Sequence, residues 1–258
     1  MSVPGWGTPV AALGEPFGAL FDFVFPQRCA GCDLPGALMC DRCRGEVRLI
    51  DPVSACPRCG APEASMRCAE CSDRAFAFSA ARCAARLEHP VSRAIVALKD
   101  GGERRYARLL AGLLARAAGG WLGTGDVLVP VPASPAALRR RGFDHAADIA
   151  RELGALADVP VTRVLASGRG ADQRTLGRQE RFANRRGAFV LRPGAGVPER
   201  VVLVDDVLTT GATLDAAACV LLEAGAHDVR ALAVARSCRR EPCPVVSEGI
   251  HSEEAADD

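Results

Sequence analysis

A chain of 258 residues with a formal charge of +1 has room for one medium domain and one small one. No apolar stretch is long enough to span a membrane, and the N-terminus lacks a basic n-region and a cleavage site, so neither a membrane span nor a secretory signal is expected. Twelve cysteines in such a chain point to reduced thiols or metal ligands rather than disulfides.

In chain order, residues 1–14 are rich in Gly and Pro and are expected to be poorly ordered. Phe17, Leu20, Phe21 and Val24 then fall at helical spacing, with Pro26 as the stop. The polar side of that short helix carries no basic residue, which favours docking on the protein over lying on a membrane.

Four knuckles follow: Cys29-x2-Cys32, Cys40-x2-Cys43, Cys56-x2-Cys59 and Cys68-x2-Cys71. Each puts two thiolates on one side of a tight turn, and two knuckles complete a tetrahedron around zinc. Seven residues separate the first two knuckles and eight the last two, a near-repetition that pairs first with second and third with fourth. Two four-cysteine sites without an open coordination position are structural rather than catalytic. Few large apolar residues lie between Arg28 and Ser72, so metal must supply much of the folding energy there. A redox CxxC, an iron–sulfur cluster and crossed pairing are alternatives that spacing leaves open.

After Phe76 the composition becomes that of an α/β domain. A helical pattern over 93–98 breaks at Lys99-Asp100-Gly101-Gly102, where the only lysine among 32 basic residues stands. A flexible ammonium beside glycine backbone suits a pyrophosphate, and a capped helix end is the plainer alternative. A helix is expected over 104–118, then a strand over 127–132 that prolines terminate. Arg139, Arg140 and Arg141 come next, with Gly142 as a hinge, opening a helix that runs through about Leu156. Their place at a strand's carboxyl end makes them candidates for contacting pyrophosphate or another polyanion. His145 is a candidate to line the same site. The basic stretch 169–186, with Arg178 and Arg181, lacks an apolar period and reads as a loop crossing the site; Phe189 and Val190 begin an edge strand. Cys83 and Cys219 read as small core residues.

Residues 201–213 carry the strongest signal. Four aliphatic residues form a buried strand that ends at Asp205 and Asp206, and Thr209, Thr210, Gly211, Ala212 and Thr213 lead into a helix over 214–224. Such a turn aims free amides and the positive end of a helix dipole at one point, which suits a phosphate. The carboxylates repel phosphate but accept hydrogen bonds from sugar hydroxyls beside it, so the pattern describes a ribose 5-phosphate. A Walker B reading fails because no GxxxxGK[ST] segment exists, and a dinucleotide fingerprint fails for want of a third glycine after Gly123 and Gly125. A further strand is expected over 229–234.

The 201–213 stretch resembles the phosphoribosyl-pyrophosphate motif of type I phosphoribosyltransferases. Over about 17–236 the chain resembles the ComF family, the amidophosphoribosyltransferase-like competence proteins. The resemblance rests on Phe25-Pro26, the cysteine block, Leu98-Lys99-x-Gly101-Gly102, Val129-Pro130-Val131-Pro132, Arg140-Arg141-Gly142-Phe143, Gln173-x-x-Leu176-x-Arg178-x-x-Arg181 and the 201–213 motif, all in that order. It implies an N-terminal segment (1–27), a double zinc ribbon (28–75), an α/β domain with a parallel sheet flanked by helices (76–238), and a disordered acidic tail (239–258). It also implies Asp205 and Asp206 on the ribose hydroxyls as catalytic groups, and Thr209 to Thr213 around the 5-phosphate. Lys99, Gly101 and Gly102 fall at the diphosphate, with structural zinc and Mg2+ as metals. Cytoplasmic location, natural transformation and incoming single-stranded DNA follow from the same resemblance, with a competence helicase and a DNA-processing protein as partners.

Two positions depart from the family pattern: Asp144 stands where Asn usually follows Arg-Gly-Phe, and Asp100 where Tyr usually follows the lysine. Each brings a carboxylate near the expected diphosphate. Two functions are therefore expected from this sequence. One is phosphoribosyl transfer, with nucleobase salvage as a special case; the other is a non-catalytic module that grips nucleotide or single-stranded DNA through Arg139, Arg140, Arg141, Arg178 and Arg181. With aromatic residues at 5%, stacking platforms are few, so such binding would be mainly electrostatic.

Overall fold

The computed structural model describes residues 27–64, 68–168 and 187–238. The expected helix near residue 20, the 169–186 stretch with Arg178 and Arg181, and the tail from 239 lie outside the described residues. Among its described residues the ribbon region carries one short helix, α1 (Asp41–Gly45). After it come β1 (Ala81–Arg86), α2 (Val91–Lys99), α3 (Tyr106–Ala117), β2 (Asp126–Pro130), α4 (Pro135–Arg141) and α5 (His145–Ala157). The chain continues through β3 (Leu165–Ser167), β4 (Phe189–Leu191), β5 (Arg200–Leu208), α6 (Ala212–Glu223) and β6 (Asp228–Arg236).

The main sheet is parallel throughout, in the order β1-β6-β5-β2. Its central position explains the composition of β5. Val201, Val202, Leu203 and Val204 are all fully buried, as an apolar run covered on both faces requires. Val202 and Val204 belong to the layer formed with α2, α3 and α5, whereas Val201 and Leu203 pack with α6 and the antiparallel β3–β4 pair. At the amino end of the sheet, buried Asp126 is paired with Arg200 and Arg230, tying β2, β5 and β6 together.

Several elements differ from expectation. β5 runs on through Asp205 and Asp206 to Leu208 instead of ending at them, because β6 pairs with it that far along, through Arg236. The single helix expected across 138–156 is two. Gly142, at φ +76°, ends α4 in the left-handed region, and Asp144 begins α5 by accepting from the Ala147 amide at 3.4 Å. Ser134 caps α4 in the same way, through the Ala137 amide. β1 was not foreshadowed: Ala-Arg-Cys-Ala-Ala-Arg has no strand periodicity, and small side chains are admitted there because β6 and the ribbon close over them. Phe189 does begin a strand, but it pairs with β3 rather than lengthening the main sheet.

Candidate ligand site and metal centres

The cysteines form the two expected sets. Cys29, Cys32, Cys40 and Cys43 bring their sulfurs within 4.8 Å of one another, as do Cys56, Cys59, Cys68 and Cys71. Cys32 and Cys40 stand 3.8 Å apart, and both Cys56–Cys71 and Cys59–Cys68 3.7 Å. Sulfurs at about 2.3 Å from a tetrahedral ion lie about 3.8 Å from each other, so the spacing fits zinc. Burial raises the Cys29 thiol, but amides of Cys40, Cys32 and Gly31 outweigh it and hold the group down at about 6. Burial and neighbouring thiols push Cys43 up to about 12, and burial leads in pushing Cys59 up to about 11. Four thiolates therefore cannot coexist here without a cation among them, and both sets are structural zinc sites.

The acidic pair lies at the carboxyl end of β5. Asp206 forms an ion pair with Lys99 through Oδ2, and its Oδ1 lies 3.7 Å from His145 Nε2. Arg141 Nη1 is 3.4 Å from His145 Nδ1, while Arg141 Nη2 donates to Asp100 Oδ1 at 3.2 Å. An arginine can only donate, so Nδ1 is the acceptor and the Nε2 proton faces Asp206. The chain Asp100–Arg141–His145–Asp206–Lys99 thus joins the end of α2, the end of α4, the start of α5 and β5. Both carboxyls are buried, Asp205 to 9% exposure and Asp206 to 3%. Burial first, and the Asp206 charge second, raise Asp205 well above the usual carboxylate range. Burial would raise Asp206 too, but the neighbouring His145 ring and the Lys99 charge hold it below that range. The two carboxyls are therefore driven in opposite directions, Asp206 towards the charged form and Asp205 towards the neutral one. A diol laid across the pair meets carboxyl oxygens that can accept its hydrogen bonds.

The turn beyond the pair is braced from behind. Gly211 adopts φ +82° ahead of α6, and the Phe76 ring lies where a side chain would project: a Cβ there would stand 2.8 Å from it. Arg74 Nη1 donates to the Thr210 carbonyl at 2.9 Å, and Arg236 Nη1 to the carbonyls of Leu208 at 3.2 Å and Thr209 at 2.6 Å. Asp215, in the first turn of α6, accepts from the Ala77 amide at 2.6 Å. With three successive carbonyls held by arginines, the peptide planes of the turn are fixed at the amino end of a 12-residue helix.

The site thus gathers Lys99, Asp205, Asp206 and the 209–213 turn, with His145 beside them. Arg141 serves the Asp100–His145 chain instead of standing free for a polyanion, and Arg139 and Arg140 are exposed. The two family departures do not act as anion repellents. Asp144 is a buried helix cap that also accepts from Arg163 at 3.2 Å, and Asp100 is paired with Arg141. Sequence reasoning missed Arg236, Arg74 and Arg93. The signal available for Arg236 was a lone charge closing the apolar run of β6; nothing marked the other two. Arg93 donates to the Gly31 carbonyl, and Tyr106 Oη to the Arg28 carbonyl at 2.7 Å, so the first metal site is tied to α2 and α3.

Residues 136–246 match the phosphoribosyl transferase domain family, and residues 20–73 the double zinc ribbon domain family. The chain is 33% identical over 230 residues to the DNA utilization protein YhgH of Salmonella typhimurium, covering 82% of this chain and 98% of that protein. It is 29% identical over 108 residues to competence protein ComFC of Streptococcus pneumoniae, covering 42% of this chain and 47% of that one. With competence protein F of Haemophilus influenzae the identity is 32% over 119 residues, 43% of this chain and 51% of the other. A parallel sheet of the phosphoribosyltransferase kind behind a double zinc ribbon, together with a relative matched over nearly its whole length, places the chain in the ComF family.

Proposed function

We propose that the protein binds a 5-phosphorylated ribose, with phosphoribosyl pyrophosphate as the working form, and acts in the handling of DNA to which the names of its relatives refer. The observation that carries this is the buried Asp205–Asp206 pair, with Asp206 paired to Lys99 and the turn beyond it braced through its carbonyls at the start of a helix. The turn takes the 5-phosphate, the pair takes the ribose hydroxyls, and Lys99 with Gly101 and Gly102 lies on the diphosphate side. Mg2+ arriving with the diphosphate supplies charge neutralisation to the leaving group. As the bond from C1′ to the diphosphate breaks, positive charge develops on the ring, and the negative charge of Asp206 lies on its hydroxyl side. Positioning and electrostatics do the catalytic work, with no protein nucleophile.

Calorimetric titration with phosphoribosyl pyrophosphate, with and without Mg2+, tests this reading. Magnesium-dependent binding is expected, weakened at least about 100-fold in Asp205→Asn/Asp206→Asn, since each lost charge-assisted bond is worth about 1.5–3 kcal/mol. Unchanged affinity in a variant that keeps its zinc overturns the assignment.

A second reading, a grip on single-stranded DNA, is favoured by the exposure of Arg139 and Arg140 on α4. If both contact phosphates, Arg139→Ala/Arg140→Ala should flatten the salt dependence of oligonucleotide binding by about 1.4 in log–log slope. An unchanged slope, measured by fluorescence anisotropy, removes them from the interface.

A further inference from the structure

The second metal site and the phosphate turn share one side chain. Arg236 ends β6 at 2% exposure, with its guanidinium between the two. On one side Nε donates to the Cys59 carbonyl at 3.0 Å, and Nη2 lies 3.9 Å from Cys59 Sγ and 3.8 Å from Glu70 Oε2. On the other side Nη1 donates to the carbonyls of Leu208 and Thr209, and also to that of Ser237. A planar fork with five fixed donors transmits position from one partner to the other, which a flexible ammonium does not. Arg74 and Phe76, immediately after the last ligand Cys71, reach the adjoining residues Thr210 and Gly211. The side-chain donors recorded on the carbonyls of residues 208–210 are therefore Arg236, which reaches the second metal site, and Arg74, which follows its last ligand, while the Ser237 amide adds a backbone hydrogen bond to the Leu208 carbonyl at 3.0 Å.

We propose that the second zinc ion holds the 209–213 turn in one shape through Arg236, so that phosphate binding at the turn and zinc retention by Cys56, Cys59, Cys68 and Cys71 are coupled. The coupling to phosphate rests on reading that turn as the ribose 5-phosphate site; the brace itself does not. Thiolate ligation fixes the Cys59 sulfur and the knuckle backbone, and with them the carbonyl that receives Nε. Without the ion, the knuckle loosens, the fork loses its fixed end, and the Thr209 carbonyl is free to turn, while the Leu208 carbonyl keeps the Ser237 amide. Linkage makes the effect reciprocal: whatever factor zinc adds to ligand affinity, the ligand adds to zinc affinity.

The test compares the zinc-loaded protein, the same protein after partial chelation, and Arg236→Lys with its zinc content measured. Which site has emptied is read from alkylation of Cys56, Cys59, Cys68 and Cys71 against Cys29, Cys32, Cys40 and Cys43. Hydrogen exchange of the 209–213 amides is expected to quicken about tenfold or more when the second site is empty and in Arg236→Lys, while the 201–204 amides stay protected. Ribose 5-phosphate should slow zinc loss from the second site about tenfold and leave the first unaffected, with the difference abolished in Arg236→Lys; a merely structural arginine would not produce that site selectivity. Unchanged exchange at 209–213 after the second site empties, or loss of 201–204 protection in parallel, overturns the brace. Exchange that responds as expected in a protein that binds no ribose 5-phosphate upholds the brace and removes the ligand reading alone.

Discussion

Asp205→Asn should make the protein more stable and much less able to bind its ligand. Burial first, and the neighbouring Asp206 charge second, raise the Asp205 carboxyl well above the usual carboxylate range. Its folded value exceeds its unfolded one, near 3.8, so its stabilising contribution is fully present below 3.8 and is lost as pH rises through the folded value. An asparagine keeps the acceptor that receives the Asp206 amide at 2.9 Å and cannot ionise. A gain of about 0.5–2 kcal/mol is expected, as is common when a strained functional site is relaxed. The wild-type protein should lose stability relative to the variant as pH climbs above 3.8. Asp206→Asn should do the opposite. Asp206 is held below its usual value, so its contribution is present above 3.8 and lost as pH falls; removing it leaves Lys99, only 26% exposed, facing a neutral amide. A loss of about 3 kcal/mol is expected, the low end for breaking a buried pair, since Asp205 can ionise in its place. Thermal unfolding from pH 4 to 8 checks both, and an Asp205→Asn protein less stable than wild type at pH 8 rejects the charge assignment.

Replacing Cys29 and Cys32 with serine should cost more than any other change considered. A structural zinc contributes about 10–16 kcal/mol of apparent folding free energy, as much as a typical domain's whole stability of about 5–15 kcal/mol. Nor would the damage stay local. Cys29, Ala30, Met39 and Cys43 share one apolar cluster with Leu98, Tyr106 and Leu110, so α2 and α3 lose part of their packing with the site. Zinc content should fall from two ions to one, and Lys99, at the far end of α2, should lose its fixed approach to Asp206. A soluble variant that keeps the wild-type melting temperature with one zinc removes the first site from the folding core.

What the sequence revealed and withheld divides along the range of the interactions. The knuckles were legible because a Cys-x2-Cys turn is local and its partner lies eight residues or so away. The 201–213 motif was legible because strand, acid pair and turn are contiguous. β1 was not, since Ala81, Cys83 and Ala85 become strand only through a partner 150 residues later. Arg236 shows in the sequence only as a charge closing an apolar run: its meaning depends on Cys59 and Thr209, which sequence distance hides. In the sequence alone Asp144 and Asp100 look repulsive to a diphosphate, because Arg163 and Arg141, which pair with them, lie elsewhere in the chain. Proximity in the chain made the motif visible; only the fold shows which arginine answers which carboxylate.

The position of β6 between β1 and β5 has a consequence for how the chain comes off the ribosome. β1 ends at Arg86 and, beyond its bridge to Leu49, has no strand beside it until Asp228 to Arg236 emerges, an interval on the order of ten seconds at typical rates of synthesis. The cysteine sets need nothing so distant, their ligands spanning 29–43 and 56–71. Both zinc ions can therefore be captured while the sheet is still open, and the nascent ribbon waits as a finished platform. The strand that completes the sheet ends in the arginine that seats the phosphate turn, so a truncated product stopping short of it would hold metal without a shaped ligand pocket.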